Sequence, residues 1–237
     1  MIEVDDVRVG IDTWDGTPPS WPGHPILESL QLLLKIEWRP AAIWGDLETK
    51  YGIRVSPWTM FGYEHGEFPP SYFQWSPDGH RFLYGFSGDA KRPKHAWLAF
   101  MRERGMPVYG IQEPSDYLAL IPQLRWGVIL QGRRSRDTDG KNRREPAYPS
   151  CGIPLALNYE PHYPFEMRPG RDYVFLKEPQ DLDMLADIDP TPFAEASSRL
   201  WDLYFSPRGM AATLLELVNG LAPNGRRRKK NIDGTLA

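Results

Sequence analysis

The sequence predicts an α/β protein built on parallel β-sheets. Short apolar segments suited to buried strands alternate with longer segments in which apolar residues recur at helical spacing. Strands that alternate with helices pair in parallel, because each helix carries the chain back to the start of the next strand. Two such series are present. The first precedes an aromatic loop at residues 56–81, and the second, which is longer, begins at Phe82.

Length, charge and cysteine content narrow the class of protein. The chain has 237 residues, with 28 Lys and Arg against 31 Asp and Glu, and its formal net charge of −3 argues against a bulk nucleic-acid binder. The single cysteine, Cys151, excludes an internal disulfide and a cysteine-based zinc cluster. The first residues lack a secretory signal pattern, and no apolar run approaches the roughly 18 residues of a membrane span. We therefore expect a globular cytoplasmic protein.

The first series, in residues 1–80, predicts a short β-α-β region. In chain order the predicted elements are a strand at 4–11, a helix at about 26–37, a strand at 41–44, a helical turn at 47–51 and a strand at 53–55. The helix is predicted from the helical spacing of Ile26, Leu27, Leu30, Leu33, Leu34 and Trp38. Asp12 follows the first strand at once, at the end of a strand where parallel sheets bind ligands.

An aromatic loop follows at residues 56–81. Pro and Gly residues lie between aromatic residues there without a clear period, so the segment is either a long loop or a set of irregular strands. Long structured loops often carry function. The other interpretation is that the aromatic residues pack beneath the loop as a small satellite core. Glu64 and His65 lie in this loop and are candidates for catalytic groups.

The second series, in residues 81–222, predicts a larger domain, which a basic flexible tail follows at 223–237. Its elements are a strand at 81–86, a helix at 93–104, a strand at 106–111, a helix at 114–124, strands at 126–130, 153–157 and 173–176, and helices at 181–188, 192–204 and 207–219. Gly105 is the expected residue after a helix end. Five consecutive cations, Arg226 to Lys230, could contact an anionic membrane or nucleic acid, although a solvated end is the other interpretation.

The segment from Gly140 to Tyr159 joins a cationic cluster to a buried strand. Lys141, Arg143 and Arg144 run into Glu145, and one or two helical turns and an apolar strand follow. Cations can hold a diphosphate while a carboxylate accepts hydrogen bonds from ribose hydroxyls, so this segment suits a nucleotide diphosphate. A surface charge cluster followed by an ordinary core strand would have the same residue types.

From Phe82 onward the chain resembles the nucleotide-sugar-binding half of a GT-B glycosyltransferase. The nearest resemblance is to exostosin-like and related families, whose pattern is R-x-x-E, then G-x-P-hydrophobic, then P-F. The matching residues are Arg144, Glu145, Gly152, Ile153, Pro154, Leu155, Pro164 and Phe165. The resemblance covers about residues 82–190 and implies Rossmann-like parallel sheets in a reduced GT-B type architecture, with residues 1–80 as the acceptor side.

The resemblance also implies which residues bind the donor. Glu145 would hold the ribose, and Lys141, Arg143 or Arg144 would hold the diphosphate. A turn between strand and helix presents backbone N–H groups to phosphate, and here it supplies Ser87, Gly88, Lys91 and Arg92. The implied activity is transfer of a sugar from a nucleotide-sugar donor to a hydroxyl acceptor, such as a glycan, protein, lipid or modified DNA base. We expect no metal and no cofactor beyond this donor substrate.

The chain departs from the family pattern in two respects. Only about 80 residues precede Phe82, whereas GT-B enzymes usually have an acceptor domain of comparable size there. Arg144 and Glu145 are adjacent, so Lys141 could take the place of the arginine in the pattern. An inverting transferase needs a base within hydrogen-bond reach of the acceptor hydroxyl, whereas a retaining transferase needs a facial arrangement of the donor, and both remain open. Asp12 is the first candidate for this base, ahead of Glu64 and His65.

Two other classes of function remain open. A metal-dependent GT-A transferase would need a D-x-D metal site, and three such triplets occur, at Asp137-Asp139, Asp181-Asp183 and Asp187-Asp189. None follows a clear apolar strand. A non-catalytic structural or interaction module derived from an α/β nucleotide-binding fold would fit the high proline and tryptophan content. Such a module would not need the cation cluster or Glu145.

Overall fold

The strands of this chain pair into two separate sheets, one of four strands and one of five. A computed structural model describes residues 1–12, 25–35, 42–58, 75–78, 80–87, 94–109, 120–130, 147–161 and 163–221. Among these residues, every pair of neighbouring strands is parallel except the hairpin that opens the first sheet. This pairing confirms the predicted α/β class with Rossmann-like parallel sheets.

The first sheet has the order β1-β2-β3-β4. Its elements are β1 (Ile2–Val4), β2 (Val7–Asp12), a 3₁₀ helix (Pro25–Ser29), β3 (Leu32–Lys35), α1 (Ala42–Tyr51) and β4 (Arg54–Pro57). β1 and β2 form the antiparallel hairpin, whose two turn residues Asp5 and Asp6 have positive φ angles. Aspartate tolerates this conformation better than most residues, which suits the tight turn.

The predicted helix at 26–37 and the predicted strand at 41–44 are both wrong. A short 3₁₀ helix and the strand β3 replace the helix, and α1 begins at Ala42. β3 lies between β2 and β4, and Leu32, Leu33 and Leu34 are fully buried. Leu32 and Leu34 pack in one core cluster and Leu33 in another, so apolar residues are needed on both faces of this strand. An apolar run of this kind cannot be told from a buried helix by its spacing.

The second sheet has the order β6-β5-β7-β8-β9, with all strands parallel. Its strands are β5 (Phe82–Ser87), β6 (Val108–Tyr109), β7 (Leu124–Ile129), β8 (Leu155–Leu157) and β9 (Val174–Phe175). The helical elements around it are α2 (His95–Glu103), 3₁₀ helices at Ile121–Gln123 and Pro179–Ala186, α3 (Ala147–Ser150), α4 (Thr191–Leu200), a π-helical turn (Trp201–Phe205) and α5 (Pro207–Asn219).

Most of the predicted elements of the second series are present with small changes of boundary. α5 has the predicted bounds, and Gly105 follows α2 with a φ of 67°. The predicted helix at 114–124 is wrong at its C-terminal end, because Leu124 is the first residue of the strand β7. Most of the rest of this predicted helix lies in residues 110–119, which are outside the described part of the chain. The predicted helix at 181–188 is a 3₁₀ helix that ends at Ala186.

Both faces of the second sheet are covered. α2 and the 3₁₀ helix at Pro179–Ala186 pack on one face, where Trp97, Leu98 and Leu182 join the core. α3 packs on the other face, where Tyr148 and Cys151 lie among buried strand residues. A parallel sheet with helices on both faces is the doubly wound arrangement, which leaves its ligand crevice at the ends of the strands.

The last described helix, α5, covers the first sheet. α5 follows the second sheet in the chain, yet its residues Met210 and Val218 pack with Val9, Leu32 and Leu34 of the first sheet. The first sheet therefore takes part of its apolar cover from the C-terminal end of the described chain. The domain boundaries at residues 80 and 222 stay a prediction.

Candidate functional site at the carboxyl edges of the sheets

The strand order of the second sheet marks one place for a ligand. From β5 the chain forms β6 on one side of β5 and then β7 on its other side, so the direction in which strands are added reverses at β5. In doubly wound sheets ligands bind where this reversal occurs, in the crevice outside the carboxyl ends of the strands. We call the side on which the parallel strands end the carboxyl edge. The crevice predicted by topology lies there, between β5 and β7.

Strand register brings the ends of several strands to one level at this edge. Gly85 pairs with Gly127, so Ser87 and Ile129, the last residues of β5 and β7, lie at the same height. Ile129 is in turn level with Leu157 of β8, which pairs with Phe175 of β9. The segments that follow β5 and β7 therefore leave the sheet side by side, at the reversal point.

The predicted donor-binding residues belong to these two segments. Ser87, predicted as the first residue of the turn, is the last residue of β5. The rest lie outside the described residues: Gly88, Lys91, Arg92, Lys141, Arg143, Arg144 and Glu145. Segment 88–93 begins at the end of β5 and leads to α2, which begins at His95, so the N-terminus of α2 lies toward the carboxyl edge. A helix N-terminus favours negative charge because its first N–H groups have no partner within the helix.

The first sheet has a carboxyl edge of its own. Asp12, Lys35 and Pro57 form one row across the ends of β2, β3 and β4. Asp12 is therefore the last residue of a parallel strand, and its role as the base stays a prediction. The other two catalytic candidates, Glu64 and His65, lie outside the described residues.

A cleft of about 510 Å³ lies between β4 and the segment that follows β8. β4 contributes Arg54 and Ser56, the segment at 163–166 contributes aromatic side chains and Glu166, and α5 contributes Leu217. The rings of Tyr163 and Phe165 stack at 4.8 Å, and Phe165 stacks on Tyr204 at 3.9 Å. This wall contains Pro164 and Phe165, which matched the P-F segment of the family pattern. Sequence reasoning gave no sign that the first sheet would lie opposite them.

Glu166 is a charged group of this cleft. Its carboxylate accepts a hydrogen bond of 2.5 Å from Arg168. This bond lowers the pKa of Glu166, so the side chain is ionised at neutral pH. Arg54 also lines the cleft, so residues of both charge signs surround the aromatic stack. Such a surface can hold the hydroxyl and ring groups of a polar ligand.

Sequence reasoning missed a buried carboxylate, Asp172. Its side chain is 2% exposed and accepts hydrogen bonds from Arg171 at 2.5 Å, Arg199 at 3.1 Å and the Arg168 backbone N–H at 2.9 Å. Burial raises the pKa of Asp172, but the hydrogen bonds from Arg171 and from the Arg168 backbone outweigh it, and the net pKa is lowered. Asp172 comes just before β9, so the bond from Arg199 ties α4 to the start of that strand. This cluster is structural, and only proximity in space could have revealed it.

The D-x-D triplets within the described residues serve other purposes than metal binding. Asp181 accepts hydrogen bonds from the backbone N–H groups of Lys177 and Glu178 and caps a 3₁₀ helix. Asp183 forms an ion pair with Arg104 at 2.5 Å, and Asp189 accepts from the Thr191 backbone N–H at the start of α4. No group of three or more His, Cys, Asp or Glu able to hold a metal occurs in the described part of the chain.

Cys151 is not a nucleophile. It is 3% exposed, and burial raises the pKa of its thiol to about 11. The thiolate is the reactive form of cysteine, so at neutral pH this side chain stays protonated and unreactive.

No described helix is both long enough and apolar enough to cross a bilayer.

Comparison with known proteins gives structural similarity alone. No family model and no curated protein matches the sequence. Among solved structures, accessory secretory protein 1, 2 and 3 from Streptococcus pneumoniae is 12% identical, with a TM-score of 0.46 over 82% of this chain and 44% of that one. TarM is 11% identical, with a TM-score of 0.46 over 92% and 50%. The GtfA/B complex is 12% identical, with a TM-score of 0.45 over 82% and 46%.

The chain spans about half the length of these solved structures. Their TM-scores lie below 0.5, so we base neither the architecture nor the function on them. The strand topology and the residues at the carboxyl edges support the function proposed below.

Proposed function

We propose that this chain is a glycosyltransferase of reduced GT-B type, which transfers a sugar from a nucleotide-sugar donor to a hydroxyl acceptor. One observation carries the proposal. The two segments that contain the donor-binding candidates both begin at the reversal point of the second sheet, at Ser87 and after Ile129.

The donor would bind with its diphosphate at this reversal point. The N-terminus of α2 and the cations Lys91, Arg92, Lys141 and Arg143 or Arg144 would neutralise the phosphates. Glu145 would accept hydrogen bonds from the ribose hydroxyls. The G-I-P-L segment leads into β8 and would fix the start of that strand, as in the exostosin-like pattern, which is the finer family assignment we propose.

The transfer itself needs one base and no metal. The base takes the proton of the acceptor hydroxyl while the acceptor oxygen attacks the anomeric carbon. The bond from that carbon to the diphosphate breaks, and the nucleoside diphosphate leaves with the electron pair. Asp12, at the carboxyl edge of the first sheet, is our first candidate for the base, and Glu64 and His65 are the others. The cleft between β4 and residues 163–166 is the candidate acceptor surface.

Donor binding is tested by thermal unfolding with a panel of UDP-, GDP-, TDP- and CMP-linked sugars. A ligand at 100 times its dissociation constant stabilises the native state by about 2.7 kcal/mol, which raises the melting temperature by several degrees. We expect one nucleotide class to give this rise, and Glu145→Ala to abolish it. Glu103→Ala is the matched control, because Glu103 ends α2 at the opposite edge of the sheet.

Each outcome of this scan has one meaning. A rise that Glu145→Ala removes and Glu103→Ala keeps supports the transferase and names the nucleotide. No rise with any nucleotide sugar at millimolar concentration contradicts it, and the chain would then be a non-catalytic structural or interaction module. Once the donor is known, Asp12→Asn should retain the rise in melting temperature but lose donor consumption in the presence of acceptor. Unchanged consumption would exclude Asp12 as the base.

The tail adds a second proposed contact. Arg226 to Lys230 lie outside the described residues, and we propose that these five cations attract an anionic membrane surface or nucleic acid in the cytoplasm. Co-sedimentation with vesicles containing phosphatidylserine, and gel shift with duplex DNA, should each be compared between the full chain and a chain ended after Leu221. Equal retention of both chains would exclude this role for the tail.

A further inference from the structure

A second cleft lies at the opposite end of the second sheet, where the parallel strands begin. Its volume is about 530 Å³, within the roughly 300–1,000 Å³ of small-molecule sites. Three segments line it: residues 75–77 ahead of β5, residues 149–152 ahead of β8, and one face of α4 with the π-helical turn. We call it the amino-edge cleft. It is separate from the donor crevice, because the two lie at opposite ends of the same strands.

One wall of the amino-edge cleft is a fixed indole. Trp75 donates a hydrogen bond from Nε1 to the Arg125 carbonyl at 3.3 Å, at the start of β7. Its ring stacks on His80, with 5.4 Å between ring centroids and 24° between planes. Burial lowers the pKa of His80, which keeps this ring neutral at physiological pH. The indole is thus oriented by contacts outside the cleft, and its position is set before any ligand arrives.

The opposite wall is one face of α4. Glu195 and Ser198 lie three residues apart on α4 and so project to the same side of the helix, and Asp202 of the turn that follows α4 also lines the cleft. Gly152 brings the chain close to this face. Its φ is 69°, and a Cβ atom at Gly152 would lie 3.0 Å from the Ser198 Oγ. Any larger residue at this position would both strain the backbone and fill the cleft.

A π-helical turn ends this wall. Trp201–Phe205 forms the turn, and the Ser206 N–H donates to the Trp201 carbonyl at 2.8 Å. π-helical turns are rare and occur frequently at functional sites, because the extra residue rotates the side chains around it. Here the turn contributes Trp201 and Asp202 to the cleft. The irregular backbone of the helix therefore coincides with the side chains that line the cavity.

The side chains of the amino-edge cleft combine indole surfaces with oxygen acceptors. Trp75 and Trp201 offer flat apolar faces, and Glu195 and Asp202 offer carboxylates. No lysine or arginine is found among the described lining residues, so nothing described there would hold a phosphate or sulfate. An anionic ligand would meet two carboxylates, and a fully apolar ligand would desolvate them without a hydrogen bond.

A sugar ring satisfies both kinds of wall. Its C–H face can pack on an indole, and its hydroxyls can donate charge-assisted hydrogen bonds to carboxylates. We propose that the amino-edge cleft binds a neutral saccharide at a site separate from the donor crevice. This inference does not rest on the proposed transferase activity, since a non-catalytic module could carry the same site.

The test is calorimetric titration of the full chain with neutral disaccharides. Cellobiose, maltose and N,N′-diacetylchitobiose are the probes, and digalacturonic acid is the charged counterpart. We expect at least one neutral disaccharide to bind in a 1:1 ratio, and the acid to bind at least about 10-fold more weakly. Glu195→Gln and Trp201→Ala should each weaken the neutral probe at least about fivefold. Glu216→Gln, at an exposed position of α5 outside the cleft, is the matched control and should change nothing.

Three results would overturn this inference. The first is no heat of binding with any neutral disaccharide at millimolar concentration. The second is saccharide binding whose affinity Glu195→Gln leaves unchanged. The third is that the chain binds a proline-rich peptide and none of the saccharides. Glu195 is exposed, so its variant keeps the test valid even if Trp201→Ala does not fold. The nucleotide-sugar scan on the same variants separates the two proposals, because a change in the amino-edge cleft should leave the donor response intact.

Discussion

At the scale of single residues, Asp172 is the clearest case of a side chain whose role depends on its partners. Its carboxylate is buried and holds two arginines and a backbone N–H. We expect Asp172→Asn to lower the free energy of unfolding at pH 7 by about 2 kcal/mol, the size typical of hydrogen bonds to a charged group. Urea unfolding measures it. Asp183→Asn is the control, since its ion pair with Arg104 is exposed and its loss should lower the free energy of unfolding much less.

The same residue predicts a direction for the effect of pH. The pKa of Asp172 is lowered in the folded state below the value of about 3.9 in the unfolded chain, so the unfolded state binds the proton more tightly. Its contribution to stability is present above about pH 4 and is lost as pH falls through the folded pKa. The difference between wild type and Asp172→Asn should therefore shrink below about pH 4. A difference that stays constant down to acid unfolding would contradict this account.

At the scale of elements, the packing of α3 on β7 depends on a missing side chain. Gly127 lies in β7 beneath the fully buried ring of Tyr148, and a Cβ there would lie 2.5 Å from the Tyr148 Cγ. We expect Gly127→Ala to destabilise the protein by about 2 kcal/mol through overpacking. Gly45→Ala is the matched control, because no atom of the described part of the chain lies within 4 Å of its added Cβ, and α1 should gain about 0.5–1 kcal/mol.

Thermal unfolding of these variants measures the contact, and a second substitution identifies its cause. Tyr148→Leu in the Gly127→Ala background should recover part of the loss, because contacting residues do not act additively. If Gly127→Ala lowers the stability equally with and without the Tyr148 ring, the cause would be the backbone of β7 and not the contact with that ring.

The same scale separates what the sequence could predict from what it could not. Segments with a sharp local signal were predicted: α5 begins at Pro207 and ends near Gly220, and β8 follows Gly152, which has a positive φ. β3 was missed because Leu32 to Leu34 are apolar on both faces, a pattern that a buried helix shares. Its identity as a strand comes from the neighbours β2 and β4, which lie about 20 residues away on either side.

The candidate site divides in the same way. Residue types and the family pattern selected the segments after β5 and β7, and the strand order was not needed to find them. The sequence did not reveal the amino-edge cleft as a whole, because its walls come from three distant segments, of which only residues 75–77 belong to the aromatic loop singled out from the sequence. The burial of a carboxylate such as Asp172 also cannot be predicted, since nothing in the local sequence distinguishes it from a solvated carboxylate.

At the scale of the whole molecule, α5 makes the first sheet depend on the C-terminal part of the chain. Met210 and Val218 are buried against Val9, Leu32 and Leu34. Truncation after Ser206 removes this cover and exposes the apolar face of the first sheet. Two buried side chains of this size are worth about 4 kcal/mol, so we expect amide exchange in β2 and β3 to accelerate at least about 100-fold.

The second sheet should respond differently to the same truncation. Its core is closed by α2, α3 and its own 3₁₀ helix, none of which is removed, so β7 and β8 should keep most of their protection. Hydrogen exchange followed by mass spectrometry resolves the two sheets in one experiment, and a chain ended after Leu221 is the control that keeps α5. Loss of protection in both sheets to the same degree would mean that they unfold as one unit. Retained protection in β2 and β3 would mean that the first sheet is stable without α5, and its apolar face would then need another cover.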